Sequence, residues 1–276
     1  MLSNLQTRMI TSIVLLAAAF LLFYLDSYPV TRYVISLIVF LAAWELIKIC
    51  GYQKQRLTLL LMIFFAIFII NGLLHYSNEI FIIAPVFFLW IFILYVLLFR
   101  SGKFSFLKDE KIFFLASGFL ILLAFFASTL YIASDWGIEA LFKLLVIIIL
   151  ADSLGYLVGK YLGKNMPFKR ISPNKTVEGY VGSLFGTILI LLLYSLSYSY
   201  EINSCFFNCG KEVLFSVVVI PAFILFSFLG DLYISVIKRH FNIDDTGTLL
   251  PGHGGILDRI DSYLPSFMFL AFLDLL

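Results

Sequence analysis

Charge is scarce in this sequence. Asp, Glu, Lys and Arg make up 13% of the residues, against about 25% in a water-soluble domain. A chain that is 62% hydrophobic cannot bury its apolar surface in one water-facing globule, so lipid has to cover the remainder. Cysteine is almost missing. Cys50, Cys205 and Cys209 form no C-x-x-C pair and no Cys/His cluster with zinc spacing, which excludes the familiar structural zinc sites. Cys205 and Cys209 share one short loop, and the sequence leaves a disulfide and two free thiols equally open. Gly/Ser-rich linkers and low-complexity tracts are absent, and no soluble domain is visible.

What fills the chain instead is a series of apolar runs. A helix needs about 20 apolar residues to cross a bilayer. Candidate spans lie near residues 9–25, 33–49, 57–74, 80–99, 112–133, 138–159, 179–200, 213–237 and 263–276. These predict an all-α integral membrane protein of about nine transmembrane helices. The last run is short and reads as partly interfacial. In the first, Ala17, Ala18 and Ala19 sit mid-span and not at a cleavage position, so it reads as a retained helix. Residues 1–133 form an N-terminal region of about five spans. Residues 134–276 form a C-terminal region, with polar loops at 160–178 and 238–262. Aromatic residues, 18% of the chain and mostly Phe, suit lipid-facing and interfacial helices.

Loop charge orients these spans. If the N-terminus and every second loop share one side, that side holds all but three of the 19 Lys and Arg. The exceptions are Arg32 and Lys211 on the other side and Lys143 within a span. Positive loops stay inside, so the N-terminus and both polar loops are expected in the cytoplasm.

Carboxylates interrupt the greasy runs. Asp152 follows L-L-V-I-I-I-L-A, and Asp231 follows I-L-F-S-F-L-G. A charge at the bilayer centre costs about 2.5–3.5 kcal/mol on the mildest scale, so such residues usually face a cavity with a function. Glu45 and Lys143 are also intramembrane by this reading, open between structural pairing and function. The loop from Gly159 to Gly179 sets Lys169, Arg170 and Lys175 beside Ser172 and Thr176, a composition suited to phosphate oxygens. If the eighth helix continues past Asp231, then Asp231, Ser235 and Lys238 share one face. A loop ending P-G-H-G-G follows, whose glycine N–H groups suit an anion. Asp258 is expected in the first turn of the next helix, with Asp261 one turn on. Carboxylates for a hard cation thus stand beside cations and N–H groups for phosphates, the usual arrangement in phosphoryl and nucleotidyl transfer. His253 stays open between general base, phosphate donor and loop residue. His75 and His240 read as ordinary interfacial residues.

The run S-V-I-K-R-H-F-N-I-D-D-T-G-T-L-L-P-G-H-G-G-I-L-D-R-I-D, from Ser235 to Asp261, resembles the signature of the phosphatidate cytidylyltransferases, the CDP-diacylglycerol synthases. Each fixed position matches but one: Asp244 stands where the family usually has Lys. Ser172–Gly179, S-P-N-K-T-V-E-G, is similar to a second family element, and Asp152–Tyr156 to a third. The resemblance covers about the C-terminal half.

It implies transfer of a cytidylyl group from CTP to phosphatidic acid, giving CDP-diacylglycerol and pyrophosphate. It also implies Mg²⁺, with K⁺ as a further cation, and a homodimer in the inner (cytoplasmic) membrane of a bacterium. No nucleic-acid partner is expected. Asp231 and Asp258 match the family's metal-binding aspartates, and Asp152 is expected to complete a cation site. Lys175, Lys238, Arg239 and Arg259 are expected to neutralise phosphates. The Gly252–Gly255 backbone, Gly254 and Gly255 included, would receive one, with Ser172 and Ser235 donating and Asp245 and Asp261 nearby. His253 joins the catalytic set. Two other classes stand beside this reading. One is a transporter, disfavoured because the polar residues cluster in loops and not at midplane. The other is a catalytically altered relative, which Asp244 keeps open. The D-G-x-x-A-R run of CDP-alcohol phosphotransferases is absent.

Overall fold

A computed structural model describes residues 4–73, 79–100, 104, 109–173, 175–197 and 218–276. His75, Lys211, Cys205 and Cys209 lie outside the described residues. The described chain is helical: α1 (Asn4–Leu25), α2 (Tyr28–Ile49), α3 (Arg56–Leu73), α4 (Ile80–Phe99), α5 (Glu110–Tyr131), α6 (Ile138–Leu162), α7 (Val177–Ser197), α8 (Ile220–His240), the one-turn α9 (Leu257–Ile260) and α10 (Tyr263–Leu275). No strand forms among the described residues; Leu250 and Gly254 make an isolated antiparallel bridge.

Local chemistry sets several helix ends. Asp109 caps α5 by accepting the Ile112 N–H at 3.1 Å. Proline stands in the first turn of α2 and of α8, where its missing N–H leaves no bond unmade. After α5 the chain runs through a π-helical turn, Ile132–Trp136, and reverses into α6 at Gly137, whose φ of 87° suits glycine.

Five helices are long and apolar enough to cross a bilayer, over Tyr28–Ile49, Ile80–Phe99, Glu110–Trp136, Ile138–Leu162 and Ile220–His240. Shorter apolar helical stretches cover Leu16–Leu25, Arg56–Ile67, Val177–Leu189 and Tyr263–Leu275. The chain is therefore a multi-pass membrane protein. Large side chains such as Phe88, Phe99 and Phe185 stand exposed on its outer surface, where lipid tails would meet them.

The last helix is short, as expected. Its 13 residues rise about 20 Å, less than a bilayer core of about 30 Å. Leu264 to Phe272 are all buried within the protein. It packs against α4, α5 and α8, stacking Phe272 on Phe87 at 4.2 Å and Phe269 on Phe226 at 4.5 Å. Ser266 anchors it by donating to the carbonyls of Phe223 at 3.1 Å and Ser262 at 2.8 Å. Beside it, Tyr233 of α8 is fully buried, edge-on to Trp90 of α4 and hydrogen-bonded to Ser117 of α5 at 2.6 Å.

The α6–α7 pair packs on small residues. A Cβ on Gly179 would lie 2.8 Å from the Gly155 carbonyl oxygen, and one on Gly182 would lie 2.5 Å from the Val158 side chain. The backbones thus approach as small-residue motifs allow. The Ser183 hydroxyl donates to the Ala151 carbonyl across the gap at 2.6 Å. This crossing holds Asp152 of α6 beside the loop that enters α7.

Candidate active site

The polar residues gather at one end of the bundle, where the 163–176 and 241–262 loops emerge. As expected, α8 continues past Asp231 into the start of the signature, ending at His240. Two lysine–carboxylate pairs stand along it.

The first joins Lys175 to Asp231, Nζ to Oδ2 at 2.6 Å. Asp152 lies within electrostatic reach of both and near the Ser262 side chain. Asp261 is also close to Asp231, Asp152 and Lys175, and its Oδ1 accepts the Ser262 N–H at 2.8 Å. Gly230 makes this approach possible, because a Cβ there would lie 2.0 Å from the Asp261 carbonyl oxygen. Burial pushes the Asp261 carboxyl well above the usual range, and the charges of Asp231 and Asp152 push it further. Burial works against the Lys175 charge, but Asp231 and Asp152 outweigh it and hold that ammonium above the ordinary lysine value.

The second pair joins Lys238 Nζ to Asp258 Oδ1 at 2.8 Å. Asp258 sits in α9 as expected, and its other oxygen organises the signature loop. Oδ2 accepts the Thr246 N–H at 2.7 Å, the Thr246 hydroxyl at 2.9 Å and the Gly255 N–H at 3.3 Å. Burial opposes the charged form of Asp258, yet Lys238 and these donors prevail and hold its carboxyl below the usual range. Asp231 and Lys238 are seven residues apart on α8, about 10 Å of helical rise. The two clusters adjoin through the turn that carries both Asp258 and Asp261.

Other expected site residues have local partners. The Arg259 guanidinium donates twice to the His253 carbonyl, at 3.2 and 2.9 Å, closing the P-G-H-G-G loop. The His253 ring meets the Thr11 hydroxyl of α1. Arg239 donates to the Ile171 carbonyl at 3.4 Å and faces Asp244 at 3.6 Å, tying the two loops together. Ser235 is buried on α8, and Asp245 is exposed, its Oδ1 beside Gly254. Ser172 is half-buried in the turn that precedes Lys175, whose N–H its carbonyl accepts at 3.3 Å. Thr176 caps α7 by accepting the Gly179 N–H at 3.1 Å. His240 pairs with Glu110 at 2.9 Å, and Lys143 with Glu139 at 2.7 Å on an exposed helix face.

The glycine loop holds an internal anion. The Gly254 N–H bonds to the Leu250 carbonyl and the Gly255 N–H to Asp258. Beside them Glu45 reaches in from α2, 2% exposed. Its Oε1 accepts the Ile256 N–H at 2.9 Å, and its Oε2 accepts the Leu257 N–H at 3.0 Å and the Thr246 hydroxyl at 3.2 Å. The sequence marks Glu45 as a lone carboxylate in an apolar helix, but gives no sign of its partner. Thr246 carries no such mark.

Among the described residues no three Asp, Glu, His or Cys side chains converge closely enough to enclose a metal ion by themselves. Around Asp231, however, Asp152 and Asp261 stand within electrostatic reach of the Lys175–Asp231 pair. That excess of hard, negative oxygen fits Mg²⁺, which commonly takes one or two carboxylates and completes its shell with water and substrate phosphate.

A family model described as "Cytidylyltransferase family" matches residues 6–276. The chain belongs to the cytidylyltransferase family. It is 41% identical over 128 residues to a phosphatidate cytidylyltransferase of Staphylococcus aureus (strain COL), an alignment covering 46% of each chain. It is 39% identical over 140 residues to that of Bacillus subtilis (strain 168), covering 50% of this chain and 48% of the relative. With the phosphatidate cytidylyltransferase of Staphylococcus saprophyticus it shares 37% over 135 residues, covering 49% and 48%. The matched segment thus spans about half the length of these curated relatives.

Proposed function

We propose that this protein is a phosphatidate cytidylyltransferase: CTP and phosphatidic acid give CDP-diacylglycerol and pyrophosphate. The observation that carries the reading is the gathering of carboxylates and lysines from α6, α8, α9 and the α6–α7 loop at one end of an apolar bundle. Loop charge favours the cytoplasm for that end, with the N-terminus on the same side, about nine spans and a bacterial inner membrane.

A phosphate oxygen of phosphatidic acid attacks the α-phosphorus of CTP, and pyrophosphate leaves. A phosphate monoester dianion is already nucleophilic, so no separate general base is required. Both reactants are anionic, so the protein has to neutralise and align them. Lys175 and Lys238 are poised to exchange their carboxylate partners for phosphate oxygens, with Arg239 and Arg259 at the loop surface. Asp231 and Asp152 in the first cluster, and Asp258 in the second, are the residues that would hold Mg²⁺, which would neutralise phosphate charge; K⁺ is a second candidate cation. Ser172, Ser235, Asp245 and His253 border the same end. A homodimer is the assembly proposed.

The test uses purified protein, radiolabelled CTP and phosphatidic acid, with and without Mg²⁺. A lipid-soluble cytidine product that requires Mg²⁺ is expected. Asp258→Asn should lower its formation about 100-fold or more, at or beyond the loss seen when an outer-shell partner of a ligand is removed, while the protein still inserts in membranes. No product from the wild-type protein would refute the activity, and near-normal turnover in Asp258→Asn would refute the role of that residue.

A further inference from the structure

Glu45 lies outside the signature, on α2, more than 200 residues before the segment it contacts. Its carboxylate is buried and its three hydrogen bonds all go to that segment: the hydroxyl of Thr246 and the N–H groups of Ile256 and Leu257. Two glycines leave room for it. A Cβ on Gly247 would lie 2.4 Å from Glu45 Oε1, and one on Gly255 would lie 2.4 Å from Oε2. Thr246 also donates its N–H to Asp258 and places its hydroxyl between Asp258 Oδ2 and Glu45 Oε2. The hydroxyl has one proton, which the two carboxylate oxygens share, so Thr246 bridges them. Asp258 is oriented by Lys238 on one side and on the other by a loop that Glu45 seats.

We infer that Glu45 is a positioning residue, which clamps residues 246–257 onto α2 and thereby sets the direction in which Asp258 presents its carboxylate to substrate and cation. This inference rests on the cytidylyl-transfer reading for its kinetic consequence, but not for its structural one. It also gives α2, which carries none of the signature, a defined part in the site. Partners that orient a ligating carboxylate typically change activity or metal affinity 10–100-fold when removed.

Glu45→Gln keeps the shape but turns an amide donor toward a donating N–H. Hydrogen exchange of the full-length protein in lipid nanodiscs reads the clamp directly. The Ile256 and Leu257 amides should exchange about tenfold faster, as loss of a hydrogen bond of ordinary strength predicts, while amides of α5 and α8 keep their protection. With CTP, phosphatidic acid and Mg²⁺, kcat should fall about 10–100-fold, with the KM for CTP moving far less. The Mg²⁺ concentration for half-maximal rate should rise. Thr246→Val should reproduce the kinetic defect from the loop side, and Thr246→Ser, which keeps the hydroxyl, should restore it. Glu139→Gln, which breaks an exposed pair on α6, should leave both readouts unchanged. Unaltered exchange at Ile256 and Leu257 in Glu45→Gln overturns the inference, as does faster exchange with kcat unmoved. If Glu45→Gln does not fold, Thr246→Val and Thr246→Ser decide: equal kcat in the two overturns it. Should the wild-type protein transfer no cytidylyl group, the proposed function fails by itself, and exchange alone judges the clamp.

Discussion

Asp244, whose side chain is 98% exposed, faces Arg239 at 3.6 Å in the position where the signature usually carries Lys. An exposed pair at that distance stabilises little, within about 0.5 kcal/mol. On the proposed function its effect is on local charge, because it sets a carboxylate against a basic side chain otherwise open to a polyanion. Asp244→Lys changes the local charge by two and frees Arg239. The expected outcome is an unchanged melting temperature and a severalfold rise in kcat/KM for CTP at low ionic strength, fading as salt screens the interaction. Kinetics at several salt concentrations check this; a rise that ignores salt would assign the effect to contact and not to steering. Positions such as Asp231, Lys238 and Asp258 were legible in the sequence because a polar residue is conspicuous in a chain of 62% hydrophobic residues. Their partners were not. Glycines at 252, 254 and 255 mark backbone that an anion can approach, but spacing does not say whose anion. In the fold Glu45 and Asp258 supply it.

At the scale of elements, a contact with little tolerance is the α6–α7 crossing, where glycines replace the side chains that would hold two helices apart. A Cβ on Gly179 would meet the Gly155 carbonyl at 2.8 Å and the Thr176 hydroxyl at 3.1 Å. The first obstacle is backbone and cannot rotate away. Gly179→Ala therefore forces the helices apart, at a cost of about 1–3 kcal/mol, and shifts Thr176 and the adjoining Lys175 away from Asp231. Thermal denaturation in detergent should show a clear drop for Gly179→Ala and none for Ser153→Ala, an exposed position on α6. Equal melting temperatures would mean that the crossing yields more easily than its geometry says. Hydropathy located α6 and α7, but their close approach could not be read from it. Apolar content reports that a helix meets lipid or protein; small residues every three or four positions report which face meets protein. The same limit explains α10. Its residues are apolar enough for a span, yet 13 residues are too few, and only the packed aromatic neighbours reveal that it is a core helix.

Across the whole molecule, one hydrophobic core runs through both halves of the sequence. Its buried residues include Val39, Trp90 and Phe126 from the first half and Ile148, Tyr233 and Phe267 from the second. The signature residues lie after position 134, but α10 packs on α4 and α5, and the signature loop hangs from Glu45 of α2. In a bilayer, helices associate through such packing and not by expelling water, so a region deprived of its partner faces has no substitute for them. Residues 134–276 expressed alone should therefore insert but lack a seated loop. They should show no cytidylyl transfer and rapid exchange at Ile256 and Leu257. Co-expression with residues 1–133 should restore both, because the interface between the regions is made of preformed helices that need no covalent link to dock. Glu45→Gln in the N-terminal fragment should block recovery of the protected amides even when the fragments copurify. A C-terminal fragment that is active and protected without its partner would show that the signature organises itself, and that the contact with α2 is an ornament of the full chain.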